Sequence, residues 1–189
     1  LLAAPYYNKP TQEGLYRHYE MVAKSVDLPI VLYNIPGRSV VNISPETVAR
    51  LSKIPNIVAI KEASGSMDQT SHILSLCGID VLSGDDSLTL PLLALGAKGV
   101  ISVLSNVLPQ AVSAMVDAFF AGDHDQARKQ HYKIFPLCRA MFIETNPIPL
   151  KRAMKLLGFC EDELRLPLSK IQPGNEKILI QAMKDYGLK

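Results

Sequence analysis

Ile57-Val58-Ala59-Ile60-Lys61-Glu62-Ala63 is a run of four apolar residues that ends in a lysine and an acid. Pro55-Asn56 bounds it on one side and Ser64-Gly65-Ser66 on the other, so it reads as a buried strand of a parallel sheet. A lysine at such a position is unusual, because desolvating an ammonium is costly. Two readings of Lys61 stand side by side. It marks the strand end and reaches into solvent, or it is held out of water, where its pKa falls and its amine becomes a nucleophile able to form a Schiff base.

Working outward, further apolar runs alternate with helical patterns. Leu1 to Tyr7, Ile30 to Ile35, Asp80 to Asp85 and Gly99 to Leu104 read as strands alongside the Lys61 segment. Between them, the spacing of Leu15, Tyr19, Val22 and Val26 predicts a helix over Thr11 to Val26 with Thr11 as N-cap. Ser44-Pro45-Glu46 opens another helix with a cap, a proline at the first position and an acid near the positive dipole end. Helices over Asp68 to Cys77, Ser87 to Leu95 and Pro109 to Ala121 each precede a glycine. Beyond Gly122 only helices are expected: Asp125 to Phe142 (disturbed at Pro136), Pro149 to Leu157 and Glu176 to Tyr186.

Strands that recur every 20 to 30 residues or so, with a helix between each pair, signal repeated βα units and a parallel sheet. A doubly wound sheet and a (β/α)8 TIM barrel both have this rhythm. No G-x-G-x-x-G or G-x-x-x-x-G-K-[ST] follows a strand, and the distinctive polar residues cluster at strand ends: Tyr6-Tyr7, Tyr33-Asn34, Lys61-Glu62 and Gly84-Asp85-Asp86. The expected class is therefore α/β, a TIM barrel. Eight strands are needed and five are present, so the chain reads as the later barrel units (1–122) with a C-terminal helical region (123–189), roughly three βα units short at the front. Its start at Leu1-Leu2-Ala3-Ala4-Pro5, without Met, adds to the expectation that it is the C-terminal part of a longer protein.

Composition narrows the function classes. The 189 residues carry a formal charge of +2 and no basic run, which argues against nucleic acid as a partner. Cys77, Cys138 and Cys160 are odd in number and far apart, so a disulfide framework or zinc site is not expected and a cytoplasmic location is. No apolar run is long enough to span a bilayer as a helix. Asp85-Asp86 lacks a third ligand nearby, which favours a helix cap at Asp86 over a metal pair, and His18, His72, His124 and His131 form no metal motif. Strand alternation puts Lys61 and Tyr33 on matching faces, with Arg38 in the loop that follows Tyr33. An amine nucleophile, a phenol to move protons and a guanidinium to hold a carboxylate together describe a Schiff-base aldolase acting on an oxo acid.

Six segments, in order, carry a closer resemblance. They are Ala4-Pro5-Tyr6-Tyr7-Asn8-Lys9-Pro10, Tyr33-Asn34-Ile35-Pro36-Gly37-Arg38, Ile60-Lys61-Glu62-Ala63, Ser83-Gly84-Asp85-Asp86, Gly99-Val100-Ile101-Ser102 and Asn146-Pro147-Ile148-Pro149. Together they resemble the dihydrodipicolinate synthase family over essentially the whole chain. The resemblance implies condensation of pyruvate with aspartate 4-semialdehyde to 4-hydroxy-tetrahydrodipicolinate in lysine biosynthesis via diaminopimelate. It implies Lys61 as the Schiff-base lysine, Tyr33 as proton relay and Tyr7 as a tyrosine lent across a dimer interface. It further implies Arg38 on the semialdehyde carboxylate, Gly84 and Ile101 lining the pyruvate pocket, and Tyr6 as a remnant of a lysine-feedback site. No cofactor or metal is implied, pyruvate being held covalently, and the expected assembly is a homotetramer built as a dimer of dimers. Ser39 departs from the threonine usual after the arginine, and the front of the family's barrel, with a relay threonine, has no counterpart here. Two alternatives accompany this reading: an N-acetylneuraminate lyase or keto-deoxy sugar-acid aldolase of the same superfamily, and a catalytically incompetent structural fragment.

Overall fold

The computed structural model describes residues 1–188; Lys189, the last residue of the expected helical region, lies outside the described residues. The described residues group into two compact units, one from Leu1 to Ile101 and one from Ser102 onward.

The first unit is built on a five-stranded sheet: β1 (Leu2–Ala3), β2 (Ile30–Asn34), β3 (Ile57–Glu62), β4 (Asp80–Ser83) and β5 (Gly99–Val100). All four pairings are parallel and the spatial order is the sequence order. A doubly wound sheet reverses its order at a switch point; this one never does, which is the winding of a barrel. The crossovers run through α1 (Gln12–Ser25), then α2 (Pro36–Ser39) and α3 (Pro45–Leu51), α4 (Met67–Leu76) and α5 (Thr89–Leu95). Caps set the helix starts: Thr11, Ser44 and Ser66 each accept a backbone N–H of the first turn through the side chain.

β1 and β5 are two residues long, much shorter than their apolar runs suggested. Each lies at an edge with one neighbour, and apolar character without a second ladder does not extend a strand. The chain after Tyr33 also differs from the expected loop. Pro36 occupies the first helical position and Ser39 Oγ donates to the Ile35 carbonyl at 3.0 Å, winding Arg38 into a single helical turn.

The sheet has two unlike faces. Leu32, Ile60 and Val81 are fully buried against Leu15, Tyr19, Ile43, Val48, Leu51, Ile73 and Leu92, which form the core under the helices. Val31, Tyr33, Leu82 and Val100 on the other face are half-buried. Leu32→Ala should cost about 2–5 kcal/mol, because the site is packed on all sides and collapses poorly. A lower urea midpoint with an unchanged slope would check this.

The second unit holds α6 (Pro109–Phe120), α7 (His124–Ala140), α8 (Ile148–Leu156) and α9 (Pro173–Tyr186). Here α6 packs on α7, and residues 102–122 group with the helices of this unit. The helix α7 runs through Pro136 without a break, held by Ile134, Leu137 and Cys138, which are buried on either side of it. Arg152 on α8 bonds Glu176 of α9 and Asp162 of the intervening segment, and Lys155 adds a second contact to Asp162. Among the described residues, no helix is long and apolar enough to cross a membrane.

Candidate functional site

The site forms at the C-terminal ends of β2, β3 and β4. Parallel register places Tyr33 beside Lys61, and alternation sends both side chains to the half-open face. Lys61 is only 8% exposed, and its Nζ lies 4.4 Å from the centroid of the Tyr33 ring. Burial pushes the Lys61 amine below the ordinary lysine value of 10.5, and the carboxylate of Asp86 partly offsets this. Of the two sequence readings of Lys61, the structure therefore supports the desolvated one. A solvated lysine at a strand end would not be so nearly withdrawn from water.

Tyr33 is half-buried, and burial raises its phenol above the ordinary value, with the Arg38 charge pulling it back down. Its hydroxyl therefore stays protonated at neutral pH and is available as a donor. Arg38 itself is exposed, close enough for its charge to reach Tyr33.

Gly84 sits where a side chain does not fit. A Cβ there would come within 2.6 Å of the Ala63 Cβ, 3.0 Å of the Lys61 Cε and 3.1 Å of the Glu62 carbonyl oxygen. The lysine stem thus passes directly over this glycine. The Gly84 N–H donates to the Glu62 carbonyl at 2.8 Å, and the Ile101 N–H donates to the Ser83 carbonyl at 2.9 Å. Both backbone N–H groups are therefore used within the sheet.

Tyr6 and Tyr7 lie past the end of β1 and stand away from this cluster, 74% and 88% exposed. Tyr7 adopts φ 69°, a left-handed conformation that costs a non-glycine residue roughly 1 kcal/mol or more and concentrates at functional positions. The structure does not bring either tyrosine into contact with Lys61 within the described residues.

One sequence expectation needs correcting. Asp86 is not the helix cap: that role falls to Asp85, whose carboxylate accepts from the Ser87 N–H at 2.9 Å and the Ser87 Oγ at 2.8 Å. Asp86 is instead 3% exposed and acts on Lys61 through its charge. Adjacent acids at a turn divide this way because only one can face the first free N–H.

Sequence reasoning also missed a buried polar cluster behind the site. Glu62, 3% exposed, accepts from Asn34, Gln69 and the Ser64 N–H, and Asn34 also bonds Asn42. The signal was present: period-two alternation puts an acid on the core face directly after Lys61, a place where an acid needs partners. Among the described residues no group of three or more His, Cys, Asp or Glu side chains is placed to hold a metal ion.

Comparison with known proteins converges on one family. The model of the dihydrodipicolinate synthetase family matches residues 1–185. The 4-hydroxy-tetrahydrodipicolinate synthases of Geotalea daltonii and Geobacter sulfurreducens are 58% and 59% identical to the chain over 190 aligned positions. In both cases all of this chain is covered and 66% of the relative, so the chain spans about two thirds of the length of these proteins. Among solved structures, dihydrodipicolinate synthase from Aquifex aeolicus superposes with a TM-score of 0.96 at 52% identity, covering 98% of this chain and 64% of its own. The Acinetobacter baumannii enzyme, solved in complex with pyruvate, gives 0.96 at 44% identity and covers 100% of this chain and 65% of its own. A match from end to end, at such identity and with the same fold, means that this chain belongs to the dihydrodipicolinate synthetase family.

Proposed function

We propose that this chain carries the Schiff-base centre of a pyruvate-dependent lyase, and that the whole protein condenses pyruvate with aspartate 4-semialdehyde to 4-hydroxy-tetrahydrodipicolinate. The observation that carries this reading is the Lys61 amine, withdrawn from water and set over the Tyr33 ring. Desolvation keeps more of the amine neutral near pH 7, which is the form that attacks a carbonyl.

In this reading Lys61 Nζ adds to C2 of pyruvate. The carbonyl oxygen takes up two protons and leaves as water, giving the protonated imine. The imine draws electrons from C3, a C3 proton is lost and an enamine results. Its C3 then attacks the aldehyde carbon of the second substrate, whose oxygen takes a proton to become a hydroxyl. The amino group of that substrate adds to C2, Lys61 leaves as the free amine, and the ring closes. Tyr33 is assigned to carry these protons: its hydroxyl is protonated at rest, and its ring lies under the amine. The protonated imine itself serves as electron sink, so no organic cofactor or metal is called on.

Arg38 is assigned to the semialdehyde carboxylate, a fit for its exposed guanidinium. Gly84 and Ile101 are assigned to the lining of the pyruvate pocket, with Gly84 lying directly beneath the lysine stem. Tyr7, exposed and in a strained backbone, is the residue one subunit would lend to the site of another in a homotetramer made of dimers, and Tyr6 is assigned to lysine feedback. The protein is read as cytoplasmic, in keeping with a biosynthetic role and three free thiols.

The test is reduction with borohydride in the presence of pyruvate, followed by peptide mass mapping. A single reduced pyruvyl adduct on Lys61 is expected. No adduct, or one spread over surface lysines, would defeat the assignment. Offering aspartate 4-semialdehyde or N-acetylneuraminate to the full-length protein then separates the synthase from a sugar-acid lyase; turnover of the sugar acid alone would overturn the substrate assignment.

A further inference from the structure

We propose that Glu62 is a positioning residue that holds Lys61, Tyr33 and the Arg38 segment in one arrangement from behind the sheet. The inference rests on the Schiff-base reading of Lys61 for its catalytic meaning, and on the hydrogen bonds around Glu62 for its physical content.

Glu62 and Asn34 are paired across β2 and β3, one step beyond the Tyr33–Lys61 pair. Their side chains point to the opposite, helix-covered face. Asn34 Nδ2 donates to both carboxyl oxygens of Glu62, at 3.3 and 3.0 Å, and to Asn42 Oδ1 at 2.8 Å. The Ser64 N–H donates to Glu62 Oε1 at 2.6 Å, and Gln69 Nε2 to Oε2 at 3.0 Å. The ring closes between Asn42 and Gln69, whose amides bond each other in both directions at 2.7 and 3.1 Å.

Each contact fixes one part of the site. The Asn34–Glu62 bonds lock the ends of β2 and β3, and so hold the amine of Lys61 over the Tyr33 ring. The Ser64 contact fixes the turn through which β3 leaves the sheet. Asn34 Oδ1 accepts the Ile43 N–H at 3.0 Å, and with the Asn42 contact this closes the segment from 35 to 43 that carries Arg38. All the contacts to the Glu62 carboxyl come from donors, so an amide in its place turns an N–H toward at least one of them. A buried network of this kind is stable only when every member is satisfied.

The experiment compares the wild-type chain with Glu62→Gln, the reciprocal pair Asn34→Asp with Glu62→Gln, and Gln69→Ala. The pair reverses the donor and acceptor across the strands, and the Asn42 and Gln69 amides can turn to match. Two readouts are taken well below each variant's melting temperature: the rate of borohydride-trapped pyruvate adduct, and the pH profile of Lys61 labelling by acetic anhydride, read by mass spectrometry. Glu62→Gln is expected to slow adduct formation roughly tenfold to a hundredfold, as a displacement near 1 Å does. It should also move the Lys61 labelling profile, with the reciprocal pair recovering most of both. Gln69→Ala, at a half-exposed position, removes one donor and should act in the same direction more weakly. If folded Glu62→Gln keeps the wild-type rate and profile, or fails to fold and Gln69→Ala leaves both unchanged, the network is structural only and the proposal falls. So it does if the pair is no better than the single variant. Because labelling needs no pyruvate, a wild-type chain that labels normally but traps no pyruvate indicts the Schiff-base reading and not the positioning one.

Discussion

Lys61→Arg should abolish the reduced pyruvyl adduct while leaving the fold intact. Arginine keeps the positive charge next to buried Asp86 and the contact with the Tyr33 ring, but a guanidinium is protonated at every accessible pH and does not form the imine. Loss of adduct with an unchanged melting profile is the expected result; an adduct that survives on another lysine would show that the nucleophile lies elsewhere. The pH dependence of the wild type gives the companion measurement. Burial lowers the Lys61 pKa from 10.5, so the adduct rate should rise with pH along a titration centred below that value. Asp86 works the other way, its charge favouring the protonated amine. Asp86→Asn should therefore shift the inflection to lower pH, and a shift upward would mean that the charge does not act on Lys61 as described.

Gly84→Ala carries the second large effect. The added methyl would meet the Ala63 Cβ at 2.6 Å, and neither partner can rotate away, since each Cβ is fixed by its backbone. The Lys61 stem at 3.0 Å and the Glu62 carbonyl at 3.1 Å close the other sides. Relief requires β3 and β4 to separate, which strains the Gly84–Glu62 backbone hydrogen bond, or requires the lysine stem to move. Overpacking of this kind costs about 1–3 kcal/mol. The effect on chemistry should be larger, roughly a hundredfold in adduct rate, because the displaced atoms are the nucleophile's own. Urea unfolding and borohydride trapping on one sample measure both. Wild-type trapping by a fully folded Gly84→Ala chain would show that the glycine is not what sets the lysine's path.

The chain bears on how one family site divides into local and non-local parts. The strand-ending lysine, the tyrosine on the neighbouring strand and the tightly packed glycine beneath the lysine stem are all brought together by parallel register at strand ends. The buried acid one residue further on then holds that register from the other face. Chemistry on one face and its support on the other follow from the pleat, which sends adjacent residues to opposite sides.

What the sequence alone determined is whatever depends on local pattern. The βα rhythm, the helix starts at Thr11 and Ser44, and the placement of Lys61 with Tyr33 were legible because period, cap chemistry and alternation act over a few residues. Tertiary structure alone decided the rest. It cut β1 and β5 to two residues each, since an edge strand's length depends on its neighbour and not on its own apolar run. It assigned the cap to Asp85 and the buried charge to Asp86, two identical side chains distinguished only by where the turn points them. It also gathered Asn34, Asn42, Glu62 and Gln69, far apart in sequence, into one hydrogen-bonded ring, because a buried carboxyl must find donors wherever the fold places them.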